Sequence, residues 1–109
     1  MANDAELSEQ EYETRVFAAE IGDAPTVDLH GLTVDLAMHR LDEFIHHELM
    51  LGTDVIKIIH GRGGGWLRES VQRQLNELKQ KGLVAYFRGA QNPALHNAVT
   101  FAALHRIKT

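Results

Sequence analysis

The stretch Val55–Val71, "VIKIIHGRGGGWLRESV", decides how the rest of the chain is read. A β-branched apolar run ends at His60, and four glycines follow within five residues (Gly61, Gly63, Gly64, Gly65). An amphipathic pattern then opens at Trp66 and Leu67. This succession predicts a strand, a tight connection and a helix. The near-continuous apolar character of 54–59 predicts a strand buried on both faces. Glycines ahead of a helix let the backbone approach a ligand with no Cβ in the way. The helix start itself leaves about four N–H groups unpaired and carries roughly half a positive charge. Together they form an anion site suited to phosphate, with Arg62 adding a guanidinium inside the loop. A dinucleotide fingerprint fails on spelling, because its last glycine falls on Trp66. A Walker A loop fails too, with Trp66 and Leu67 where Lys and Ser/Thr belong. The plain alternative is a turn that binds nothing, for which so much glycine is an entropically costly choice.

Upstream, "TVDLHG" (26–31) predicts another strand ending in His-Gly. Between the two, a helix runs from an N-cap at Thr33 to about Leu51, with Gly52 as its stop. At ~100° per residue, Val34, Ala37, Met38, Phe44, Ile45 and Leu49 all fall within about 80° of Leu41. If the two strands are parallel neighbours, His30 and His60 stand at the same sheet edge, where open α/β sheets bind ligands. Asp28 and His30 are two apart on a strand and share a face. A carboxylate beside an imidazole fixes its tautomer, the arrangement used in general acid–base chemistry.

Downstream, Leu67, Val71, Leu75 and Leu78 form one helical stripe that Gly82 ends. "LVAYFR" (83–88) and "AVTFAALHRI" (98–107) predict two further strands around the loop "GAQNPALHN". At the N-terminus, residues 1–6 read as disordered. Ser8 and Glu11 spell a capping box, and Tyr12, Val16, Phe17 and Ile21 give a stripe that Gly22 can end. The expected order is a helix followed by βαβαββ.

At 109 residues this is one domain with a modest core. No run approaches the ~18 apolar residues that a membrane span needs, and the acidic N-terminus does not read as a signal peptide. The chain has no cysteine, which excludes disulfides, thiolate metal sites and cysteine nucleophiles and suits a cytoplasmic setting. The net charge of −4 hides an asymmetry: residues 1–54 hold thirteen acids against two arginines, residues 55–109 two acids against nine Lys/Arg. A basic half beside a glycine loop keeps nucleic acid open as a partner, although two solvated faces would show the same charges.

"VDLHG" and "IIHGRGGG" resemble the paired L-D-L-H-G and H-G-[RK]-G-x-G motifs of the small MutS-related (Smr) domain. "LTVDLAMHRLDEFI" resembles that family's first helix and "LR" (67–68) the start of its second, so the resemblance covers about residues 26 to 107. It implies a two-layer α/β (α+β) sandwich with a mixed four-stranded sheet and two helices, like the C-terminal domain of translation initiation factor 3. Residues 25–109 would form that domain and residues 1–24 an extension whose helix packs on it or docks a partner. The resemblance implies nucleic-acid binding and, in many members, endonuclease activity on DNA or RNA, in some at stalled ribosomes. By position, Asp28 and His30 take catalytic roles. His60, Gly61, Arg62, Gly63 and Gly65 take phosphate-gripping ones, with Gly64 and Arg68 beside them. The sequence departs from the family at "LHNAVT" (95–100), where Asn97 and Ala98 replace expected glycines, and at Trp66, a bulky residue in place of a smaller one. Trp66 lies about 140° from the Val71 stripe. There it can stack on a base or shelter against a loop.

The combined expectation is an endonuclease, RNA slightly favoured over DNA. His30 would be general base on a 2′-hydroxyl, Asp28 its orienter, and the 61–65 loop the stabiliser of charge on phosphate. His60 would protonate the leaving oxygen or bind phosphate. No cofactor is required by this scheme; a divalent metal near Asp28 would serve a DNA-nicking variant. The alternative is a non-catalytic nucleic-acid-binding module. A small-molecule phosphate enzyme fits less well, since it calls for a deep pocket. His39, Asp42, Glu43 and His46 share a helix face, but their order is that of a solvated polar surface rather than a metal site.

Overall fold

The computed structural model describes residues 7–106; the expected disorder of residues 1–6 lies outside them, and the last strand, expected over 98–107, ends at Leu104. Helix α1 (Glu9–Ile21) precedes β1 (Thr26–Asp28), α2 (Val34–Leu51), β2 (Val55–Ile59), α3 (Trp66–Gln80), β3 (Val84–Gly89) and β4 (Val99–Leu104). This is the expected order. Ser8 caps α1 in a complete capping box with Glu11, and the Thr33 hydroxyl accepts the Leu36 N–H at the start of α2.

The four strands form one mixed sheet in the order β1-β2-β4-β3. β1 and β2 are parallel, as α2 crossing between them requires, whereas β4 runs antiparallel to both neighbours. Side chains alternate across the sheet, so each strand feeds two cores. Ile56, Ile58, Ala102 and Leu104 pack beneath Leu41, Ile45, Val71 and Leu75 of α2 and α3. Val55, Phe101 and Ala103 point the other way and meet Tyr12 and Val16 of α1. The N-terminal helix thus closes the face that two helices alone would leave open. β4, central and covered on both sides, is buried at all six of its residues.

Two further expectations need correction. β1 ends at Asp28 instead of continuing to Gly31, although the Leu29 N–H still donates to the Ile59 carbonyl of β2 at 2.7 Å. There the Asp28 carboxylate accepts the His30 N–H, and a Leu32 N–H to Leu29 C=O bond turns the chain. On α1, Phe17 and Ile21 are exposed (48% and 72%) although they belong to the apolar stripe. Relative to Tyr12, Glu13 and Glu20 lie at about 80–100° and Phe17 and Ile21 at about 140–180°. The glutamates face Arg88 of β3, and that contact rotates the two apolar residues outward.

Candidate nucleic-acid interface

The parallel β1–β2 pair brings His30 and His60 to the same end of the sheet, beside a cleft of about 520 Å³ that both line together with Val34, Arg62, Trp66 and Arg68. At its mouth the Asp28 Oδ1 accepts two hydrogen bonds from His30, one from the backbone N–H (3.1 Å) and one from ring Nδ1 (2.7 Å). These bonds, the ring's first, hold the Asp28 carboxyl below the usual carboxylate range. With Nδ1–H committed to a carboxylate, Nε2 carries the free lone pair. The pair is solvent-exposed and available to a substrate.

His60 is the opposite case, with only 2% of its surface exposed. A carbonyl can only accept, so Nδ1–H donates to the Gly61 oxygen (3.1 Å) and Nε2 accepts the Thr100 hydroxyl (3.0 Å). Both ring nitrogens are used internally. Burial pushes the His60 pKa down; the Gly61 carbonyl opposes that and the Arg68 charge adds to it. The folded protein therefore resists protonation that the unfolded chain accepts below the ordinary histidine value of about 6.5. Stability is expected to fall as pH drops from about 6.5, before carboxylates begin to titrate. Urea midpoints at pH 7.5, 6.5 and 5.5 would show it, and His60→Gln should flatten that step. An unchanged step in the variant would assign it elsewhere.

Gly61 joins the two motifs. Its φ is +80°, and an added Cβ would sit 3.0 Å from the His30 Cβ, so both conformation and space demand glycine. Its N–H, like that of His60, donates to the Ala98 carbonyl at 3.0 Å and is not offered to a ligand. Gly65, at φ +92°, is the N-cap of α3 and supplies no side-chain hydrogen bond, which leaves the first-turn N–H groups for an outside acceptor. Gly63 and Gly64 complete the loop, Gly64 against the Trp66 ring (3.5 Å from where its Cβ would be). Trp66 itself is 74% exposed, facing away from the core as its helical angle predicts.

The structure adds residues that the motifs do not contain. Arg62 donates to the Ala94 carbonyl, and Arg68 donates to the Asn97 side-chain oxygen at 3.0 Å. The loop before β4 is therefore the back wall of the glycine loop. Thr100 had a weaker signal: a hydroxyl amid an apolar strand. On α2, His39–Glu43 and His46–Asp42 form separate exposed pairs at 3.4 Å each. Among the described residues no three His, Asp or Glu side chains converge, and no helix is long and apolar enough to cross a membrane.

The family model described as "Smr domain" matches residues 27–105. Endonuclease MutS2 of Halothermothrix orenii is 35% identical over 81 residues, which are 74% of this chain and 10% of that protein. Endonuclease MutS2 of Symbiobacterium thermophilum is 42% identical over 52 residues, 48% of this chain and 7% of that protein. The chain thus corresponds to a small part of these curated relatives. The crystal structure of the Smr domain of Thermus thermophilus MutS2 is similar with a TM-score of 0.65 and 32% identity, over 74% of this chain and 98% of that one. The matched segment runs from the strand that delivers Asp28 to the end of the strand that delivers Thr100, and by that match the chain belongs to the Smr domain family.

Proposed function

We propose that this domain binds nucleic acid across the cleft between His30 and α3 and cleaves a phosphodiester bond there, with RNA preferred over DNA. One observation carries the reading: an exposed Asp28–His30 pair with a free Nε2 is packed directly against the glycine loop, through Gly61. The name of the curated relatives, Endonuclease MutS2, supports it by kinship.

In this scheme His30 Nε2 takes the proton of a 2′-hydroxyl, whose oxygen attacks the neighbouring phosphorus. The 5′-oxygen leaves with a proton from water, and a cyclic phosphate remains. Asp28 stabilises the imidazolium that forms. The first-turn N–H groups of α3, with Arg62 and Arg68, stabilise charge growing on the phosphate oxygens. Each arginine uses one nitrogen on the 94–97 loop and keeps its remaining guanidinium N–H donors for the phosphate. His60 is a positioning residue: its buried ring locks Gly61 to β4 through Thr100 and transfers no proton. Ribosome-bound messenger RNA is one source of such a strand, carried by the family resemblance alone.

The test is cleavage of labelled single-stranded RNA and a matched DNA with EDTA present. RNA cut to a cyclic-phosphate end is expected. Cutting of DNA only, and only with a divalent metal restored, would replace the RNA scheme. Binding without cutting would leave the domain as a binding module.

Trp66 fits the reading as a stacking surface for an unpaired base. Trp66→Ala is expected to weaken binding of single-stranded RNA by about 5- to 100-fold, the range of one lost base–aromatic stack, with Trp66→Phe close to wild type. Fluorescence anisotropy would measure it. Equal affinities in all three proteins would place Trp66 off the path of the strand.

A further inference from the structure

We propose that Glu20, on a helix outside the segment that matches the family, is a positioning residue for the nucleic-acid site. α1 ends at Ile21 and the match begins at residue 27. The helix also lies across the sheet from α2 and α3. Its influence on the cleft must pass through something that reaches both, and the loop after β3 does.

The side chain of Glu20 is 9% exposed, and a carboxylate so buried needs partners on both oxygens. Oε1 accepts from Arg88 Nη1 at 2.8 Å. Oε2 accepts from the backbone N–H groups of Gln91 (2.9 Å) and Asn92 (3.0 Å), the second and third residues of the loop after Gly89. From there the loop is tied to itself. The Asn92 side chain accepts the Ala94 N–H, the Asn92 carbonyl accepts the Leu95 N–H, and the Leu95 carbonyl accepts from Ala98 and Val99. His96 Nδ1–H donates back to the Ala90 carbonyl at 2.9 Å. It is a folded unit rather than slack chain.

The far end of that unit holds the site. The Ala98 carbonyl fixes the N–H groups of both His60 and Gly61, the Ala94 carbonyl receives Arg62, and Asn97 receives Arg68. Gly61 in turn abuts the His30 Cβ. An unbroken series of hydrogen bonds and one close packing contact therefore runs from Glu20 to His30. Charge-assisted bonds from a buried carboxylate to two adjacent backbone N–H groups are the strong kind, and they set where the loop begins. Loosening them gives the loop, and the two arginines it carries, several positions instead of one.

Glu13 supplies an internal control. It pairs with the same Arg88 and accepts the Tyr86 hydroxyl, but makes no bond to residues 90–98. Glu13→Gln and Glu20→Gln both remove a charge from one network, and only the second disturbs the loop. The experiment uses the full chain, at a temperature where circular dichroism shows every variant folded. Amide hydrogen exchange at His60 and Gly61 is read beside affinity for a single-stranded RNA oligonucleotide. Glu20→Gln is expected to speed exchange at these two amides by about tenfold and to weaken RNA binding by about fivefold, with Glu13→Gln within about twofold of wild type on both. Should Glu20→Gln not fold, Glu20→Asp keeps the charge near Arg88 while drawing it back from the loop, and the same pattern is expected.

Equal exchange at His60 and Gly61 in the Glu13 and Glu20 variants would overturn the proposal, since Glu20 would then be only part of the helix anchor. The RNA readout rests on the function proposed above, whereas the exchange readout does not. Faster exchange in a protein that binds no RNA even as wild type would uphold the positioning role and overturn the RNA reading.

Discussion

His30→Ala is expected to lower the cleavage rate by about 10²- to 10⁴-fold, the usual contribution of a positioned general base. Affinity for uncut substrate should change by no more than ~2-fold, because the groups assigned to phosphate belong to other residues. The two effects separate for a geometric reason. Nδ1 of His30 is bonded to Asp28 at 2.7 Å, so the ring meets substrate only through Nε2, a proton acceptor and not an anion donor. Arg62, Arg68 and the first turn of α3 are untouched by the substitution. Asp28→Asn should fall between, at about 10- to 100-fold, since an amide oxygen still accepts Nδ1–H but no negative charge stabilises the imidazolium. Single-turnover cleavage of a labelled strand measures the rate, and anisotropy measures affinity. Undiminished cleavage by His30→Ala would remove His30 from the chemistry altogether.

Much of the frame was legible because it rests on local rules. The Ser8–Glu11 box, the Thr33 cap and the periods of α2 and α3 each involve residues within a few positions of one another, and each stands where those rules put it. The juxtaposition of His30 and His60 needed one step more, a parallel pairing, and a helix between two strands supplies it. What was not legible depends on distant pairing. His60 reads as a twin of His30 until Thr100, forty residues away, claims its Nε2. Arg62 and Arg68 read as free phosphate grips until the 94–97 loop receives them. The charge asymmetry was likewise ambiguous. Part of it is consumed within the molecule, where Arg88 and Arg106 of the basic half meet Glu13, Glu20 and Asp54 of the acidic half. Two acids 68 and 75 positions from their arginine leave no periodic trace, and the apolar spacing of Phe17 and Ile21 gave no warning that charge would set the helix rotation.

That arginine carries the largest expected effect on stability. Arg88→Ala should cost about 3–5 kcal/mol at pH 7, the range for removing one member of a buried ion pair. Its side chain is 14% exposed and bonds Glu13 through Nε at 2.9 and 3.0 Å and Glu20 through Nη1 at 2.8 Å. Without it two carboxylates face each other across a poorly solvated seam, and the Tyr86 hydroxyl, pushed up to about 12 chiefly by burial and then by Glu13, has no charge to lend. The dependence on pH separates this from simple loss of packing. In the wild type the Arg88 bond holds Glu13 below the ordinary carboxylate range. Burial raises Glu20, but the Asn92 and Gln91 N–H groups and Arg88 outweigh it. Carboxylates depressed in the folded state stabilise it above their unfolded pKa, and that stability is lost as pH falls through the folded values. In the variant both carboxylates lose the cation that depressed them, protonate at higher pH and cease to repel. The gap between the two proteins should therefore narrow steadily from pH 7 to pH 4 in urea titrations. A gap that stayed constant would mean that Arg88 acts through its alkyl stem alone. A gap under about 1 kcal/mol at pH 7 would put the pair among solvated surface bridges. Arg88→Lys distinguishes charge from geometry, because a single ammonium cannot span Glu13 and Glu20 as a guanidinium fork does, and only partial recovery is expected.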